Sequence, residues 1–199
     1  MLIEIFSYDF MQRAIMAVIA ISIFAPILGI FLILRHQSLM SDTLSHVSLA
    51  GVALGILLGT STTWSTILVV TIAAVILEYL QTVYKHYVEI STAILMSLGL
   101  AISLIVTSKS ENGSSVNLDQ YLFGSIITIN MVQVIALFAI AVVVVLLTIL
   151  FIRPMYILTF DEETAFVDGL PVRLMSVLFN IVTGIAIALT IPAAGALLV

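Results

Sequence analysis

The sequence predicts an all-α fold: a polytopic bundle of about six transmembrane helices with one short helix outside the membrane. Three observations carry this. Of 199 residues, 62% are hydrophobic and only 9% charged, where a soluble domain holds roughly a quarter charged residues. Several apolar runs approach the ~20 residues a helix needs to cross a bilayer. Short polar connections separate those runs. The expectation is one multi-pass domain over residues 1–199, surrounded by membrane lipid. No basic cluster is present, which argues against a nucleic-acid partner. The absence of cysteine excludes disulfides, thiolate metal sites and cysteine nucleophiles. The first residues, Met1 to Asp9, lack the basic region of a cleaved signal peptide, so the first apolar stretch is expected to be a retained span.

The elements follow in chain order. Span one is expected from Gln12 to Leu34 with Pro26 inside it, and span two from Thr43 to Leu58. Span three covers Thr62 to Tyr84 and span four Ser91 to Thr107. A polar stretch from Lys109 to Asn130 leads to span five, Val132 to Ile152. Another polar stretch, Arg153 to Arg173, leads to a sixth apolar segment from Leu174, which meets Pro192 and Gly195. With the N-terminus outside, Arg35, Lys85, Arg153 and Arg173 fall inside and Arg13 and Lys109 outside, the orientation favoured by basic residues. Trp64, Tyr84, Tyr87 and Tyr156 then mark the membrane interfaces.

Asp42 and His46 are the first candidates for chemistry. Ionisable groups in a spanning helix are costly and default to a functional reading. Four residues apart, they share a helix face with Cβ atoms roughly 5–6 Å apart. A carboxylate and an imidazole suit zinc or, less selectively, manganese. Gly51, Gly55 and Gly59 lie on the opposite face, where small residues let a neighbouring helix approach closely. Two plainer readings stay open: Asp42 as a helix N-cap, and His46 as a buried imidazole satisfied by one of the nearby serine hydroxyls. Two ligands make half of a four-coordinate site; two copies of the chain about a two-fold axis would supply four. Glu78 in span three reads as a carboxylate near the interface.

In the stretch Arg153 to Arg173, Thr159 with Glu162 three residues later fits a capping box. Acids crowd the next turn, and Gly169 before Pro171 supplies a stop signal. A short helix from Phe160 to Asp168 is expected, either a capped connector or a docking element.

Taken together, these blocks resemble the permease subunit of bacterial ABC-type zinc/manganese uptake systems. The residues that carry the resemblance are Arg35-His-Gln-Ser38, Asp42-Thr-Leu-Ser-His46, Ser48-Leu-Ala-Gly51-Val-Ala-Leu-Gly55, Tyr121-Leu-Phe-Gly124 and Ala165-Phe-Val-Asp-Gly169. The resemblance implies a bacterial cell-membrane importer in which Asp42 and His46 bind the passing Zn²⁺ or Mn²⁺. It implies that Phe160, Asp161, Glu162, Ala165, Phe166 and Gly169 belong to a coupling helix seated in a separate ATP-binding subunit. It implies a permease homodimer and an extracytoplasmic metal-binding protein that delivers the ion near Tyr121 to Gly124. In the family, the chain continues past the segment that ends here at Val199, so the sequence reads as truncated at its C-terminus. No Gly-x-x-x-x-Gly-Lys-Ser/Thr loop occurs, so ATP is expected on the partner, and no bound cofactor or enzymatic activity is expected of this chain. A proton-coupled secondary transporter or channel using Asp42, His46 and Glu78 is the alternative. An intramembrane hydrolase ranks lower, because it needs more ligands and a general base.

Overall fold

The computed structural model describes residues 8–84, 87–109, 118–125, 129–160 and 171–196. They form seven helices: α1 Asp9–Leu34, α2 Leu39–Leu57, α3 Thr62–Val83, α4 Val88–Lys109, α5 Leu118–Phe123, α6 Met131–Phe160 and α7 Val172–Ala194. No strand occurs among the described residues. All but the short α5 are long and apolar enough to cross a membrane, which gives six spans, as expected. The chain divides into two compact units, each built from two sequence segments.

The first unit comprises residues 1–38 and 125–175. Helix α1 packs on α6 within it. Buried positions on α1 (Ala17, Ala20, Phe24, Leu28) recur at three- and four-residue steps, the period of one helix face. Helix α6 opens with a reciprocal cap. The Gln133 amide N–H donates to Asn130 Oδ1 at 2.9 Å, and the Asn130 N–H donates to Gln133 Oε1 at 3.0 Å. The expected end of span five at Ile152 coincides with a kink rather than a stop: Phe151 leaves helical geometry at φ −111°, ψ 15°. Pro154 explains it, because the ring removes an N–H and crowds the carbonyl one turn earlier. The helix then resumes to Phe160, and Leu158 packs against Met175 with Met155, Ile157 and Val172 around them. This corrects the expected capping box. Thr159 lies inside α6 and donates its hydroxyl to the Met155 carbonyl at 2.6 Å, so it starts no helix. Phe160 is the last residue of α6, and the rest of the expected coupling helix, Asp161 to Gly169, lies outside the described residues.

The second unit comprises residues 39–124 and 176–199. Its centre is α2, buried along most of its length and packed by α3 and α4. Glycines set the approach. A Cβ on Gly51 would stand 2.7 Å from Thr66 Cα, and one on Gly55 would stand 3.0 Å from Thr62 Cα. Both close contacts bring α3 against the glycine face of α2, and Ser65 Oγ donates to the Gly51 carbonyl across it at 2.9 Å. On another face, Gly99 of α4 lies where a Cβ would meet Val47 Cα at 2.9 Å. Gly59 departs from the packing expectation. It has open space around it and φ +64°, and it closes α2 with Gly59 N–H to Ile56 O and Thr60 N–H to Gly55 O, the paired bonds of a Schellman cap.

Candidate functional site

The turn before α2 sets where the site begins. His36 adopts φ +56°, the left-handed region that Asn, Asp and His enter more readily than most residues. The N–H of His36 reaches Ile33 O at 3.1 Å and that of Gln37 reaches Leu32 O at 2.8 Å, closing α1 with another Schellman pattern. Helix α2 therefore starts at Leu39, four residues earlier than expected. Asp42 falls in its first turn rather than at its N-cap, which corrects the capping alternative. Its charge there complements the positive end of the helix dipole.

His46 Nε2 lies 3.4 Å from Asp42 Oδ1, one turn apart on α2. The carboxylate side chain is 53% exposed and the imidazole 13%. The second ring nitrogen, Nδ1, is buried with no hydrogen-bond partner. Two nearby serines are turned elsewhere: Ser45 Oγ donates to the Ser41 carbonyl and Ser48 Oγ to the Ser45 carbonyl. A neutral imidazole carries a lone pair on one nitrogen, and an ionised carboxylate has acceptor sites beyond a single partner. The pair can therefore offer one nitrogen and one oxygen to a cation. Among the described residues no third His, Cys, Asp or Glu joins them.

Glu78 gains a partner that its position in span three did not reveal. It is buried inside the bundle, 6% exposed, and it accepts a hydrogen bond at Oε2 from Asn180 Nδ2 of α7. Asn180 and Thr183 were not anticipated from the sequence. Ser176, Asn180 and Thr183 follow one another at steps of four and three along an otherwise apolar segment, which is the signal that marks one polar face of α7.

The block Tyr121 to Gly124 meets the end of α7. The Ala196 N–H donates to the Tyr121 carbonyl at 2.9 Å, and Tyr121 Oη lies 3.4 Å from Thr62 Oγ1. Gly124 (φ +71°) and Gly195 (φ +87°) touch backbone to backbone: a Cβ on Gly195 would stand 2.6 Å from Gly124 N. Only glycines fit both requirements, the left-handed backbone and the missing side chain.

The profile of the ABC 3 transport family matches residues 7–199. The chain is 27% identical over 196 residues to the manganese transport system membrane protein MntC of Halalkalibacterium halodurans, covering 98% of this chain and 67% of that protein. It is 28% identical over 193 residues to the high-affinity zinc uptake system membrane protein ZnuB of Haemophilus influenzae, covering 96% and 73%. Among solved structures, PsaBC from Streptococcus pneumoniae in complex with Fab superposes with a TM-score of 0.82 at 28% identity, over 100% of this chain and 72% of that one.

Proposed function

Because this chain belongs to the ABC 3 transport family, we propose that it is the membrane-spanning permease subunit of an ATP-driven importer of divalent transition-metal ions, zinc or manganese. It is a multi-pass membrane protein with a transport role, and its relatives carry names for both metals. The observation that carries the site assignment is the Asp42/His46 pair. Its carboxylate is open to an incoming ion, and the imidazole turns Nε2 toward that carboxylate across 3.4 Å. Carboxylate and imidazole accept zinc and manganese alike, so the pair does not choose between them. Few, partly exposed ligands hold an ion loosely enough to release it, unlike a closed thiolate site.

Residues 1–199 act as one permease domain in this reading, and two copies bring two Asp42 and two His46 to a shared path. The segment from Phe160 through Asp161, Glu162, Ala165 and Phe166 to Gly169 docks into a separate ATP-hydrolysing subunit. An extracytoplasmic binding protein hands the ion to the outer face near Tyr121 to Gly124. Gly51 and Gly55 support the site indirectly by holding α3 close behind α2.

The test is metal uptake by cells co-expressing the chain with its ATPase and binding protein. Asp42→Asn removes the charge at constant size, and His46→Ala removes the ring. Each is expected to lower uptake ~100-fold, the upper end of what losing even an outer partner of a metal ligand costs, while the complex still assembles. Phe166→Ala should instead weaken recovery of the ATPase with the permease. Wild-type uptake in both site variants would remove the site assignment, and uptake that continues without any ATPase would favour a proton-coupled carrier.

A further inference from the structure

We propose that Glu78, Asn180 and Thr183 form a resident site for a monovalent alkali cation, sodium in the first instance, buried between α3 and α7 and distinct from the Asp42/His46 pair. The three residues are 6%, 0% and 1% exposed. Glu78 holds one hydrogen bond from Asn180 Nδ2. Asn180 Oδ1 and Thr183 Oγ1 are buried without any hydrogen-bond partner. The register brings Thr183 to the same place. Glu78 pairs with Asn180, while a Cβ on Gly184 would touch Ala74 Cβ at 3.5 Å and Val70 Cγ1 at 3.0 Å. Thus α3 and α7 run antiparallel, and Thr183 sits within a turn of the Glu78–Asn180 contact.

Among the described residues, three demands are left open within a helical turn of each other. A carboxylate inside a spanning bundle needs a compensating positive charge. Helix α3 contains no Lys, Arg or His, α7 contains only the exposed Arg173 near its start, and α2 contains only His46. An amide oxygen and a hydroxyl oxygen need a donor or a cation, since a buried polar atom without a partner costs roughly 1–3 kcal/mol. A proton on Glu78 would meet the first demand and, with its single O–H donor, at most one of the other two. A water would meet the others and leave the charge. A hard cation held by carboxylate, amide carbonyl and hydroxyl oxygens meets all three, and oxygen donors of this kind select such ions. Valence follows from charge: one carboxylate neutralises a monovalent ion, whereas a divalent ion would leave a net positive charge in the low-dielectric interior.

The site stands apart from the Asp42/His46 pair. Leu44, whose Cδ1 would lie 3.5 Å from a Cβ on Gly184, points about 180° away from the midpoint of Asp42 and His46 at ~100° per residue. Helix α2 therefore separates the two sites, and the second holds a structural ion rather than the passing one.

The test uses the full chain assembled with its ATPase partner in detergent, with thermal unfolding followed in sodium chloride, potassium chloride and N-methylglucamine chloride at equal ionic strength. The expected result is a saturable rise in Tm specific to the alkali cation, as for any ligand that binds only the folded state. The rise is lost in Glu78→Gln and kept in Asp42→Asn, so failure here is separable from failure of the metal-import reading. Should Glu78→Gln not assemble, Thr183→Val keeps the β-branched shape, and a several-fold higher sodium concentration for the half-maximal rise is expected. The proposal is overturned if sodium equals N-methylglucamine in the wild type. It is equally overturned if Glu78→Gln or Thr183→Val responds like the wild type, or if Mn²⁺ displaces sodium from the Glu78 site.

Discussion

At the residue scale, two histidines illustrate how neighbours define a side chain. His46 has a carboxylate facing one ring nitrogen, while the other is buried without a hydrogen-bond partner. His36 is exposed and serves its backbone, which takes the left-handed conformation that closes α1. That conformation costs an ordinary L-residue about 1–2 kcal/mol, and glycine is the usual occupant of the position. His36→Gly is therefore expected to raise stability by about 1 kcal/mol, read as an upward shift of thermal unfolding in detergent, with metal uptake unchanged. A fall in stability would mean that the imidazole itself carries a contact. The spacing of Asp42 and His46 was legible in the sequence, because helical periodicity alone places them together. Whether a serine hydroxyl would satisfy His46 was not, since each serine could equally bond its own helix backbone, as Ser45 and Ser48 do.

At the element scale, glycine position sorts into packing, capping and neither. Gly51 faces a backbone atom of α3 at 2.7 Å from its would-be Cβ, Gly55 faces one at 3.0 Å, and Gly29 in α1 faces nothing within 4 Å. Gly51→Ala must push α3 away and is expected to cost ~1–3 kcal/mol, the range for overpacking. Gly55→Ala should cost less. Gly29→Ala should stabilise α1 by up to ~1 kcal/mol through helix propensity. Thermal unfolding of the three variants checks the order, and equal effects at Gly51 and Gly29 would refute the close approach of α2 and α3. Span boundaries came within a few residues of those expected because apolar length dictates them. The continuation of α6 past Pro154 did not, because a proline preceded by a long apolar helix can kink it as well as end it. The Asn130-x-x-Gln133 cap was present in the sequence as a pattern, with Asn in the place of the more familiar Ser or Thr.

At the scale of the whole molecule, both units are assembled from segments far apart in sequence, 1–38 with 125–175 and 39–124 with 176–199. The contact of Gly124 with Gly195 closes the second unit at the end away from Asp42, joining α5 to the end of α7. Gly195→Ala adds a methyl against backbone at a positive φ, so it should lower Tm by several degrees, of the order expected for a loss of ~1–2 kcal/mol. It should also reduce uptake without altering Asp42 or His46. An unchanged Tm would show that the two backbones can part freely. The sequence by itself determined the solvent, the number of spans and the acid–imidazole pair, because bilayer thickness and helical period are read from residue order alone. Only the tertiary structure decided which helix lies against which, and hence that Glu78 finds Asn180 and that Gly124 finds Gly195. The physical reason is that lipid solvates every apolar helix face equally well. Partner choice therefore falls to a few small and polar residues, whose identities are visible in the sequence but whose counterparts, about a hundred positions away in the case of Glu78 and Asn180, are not.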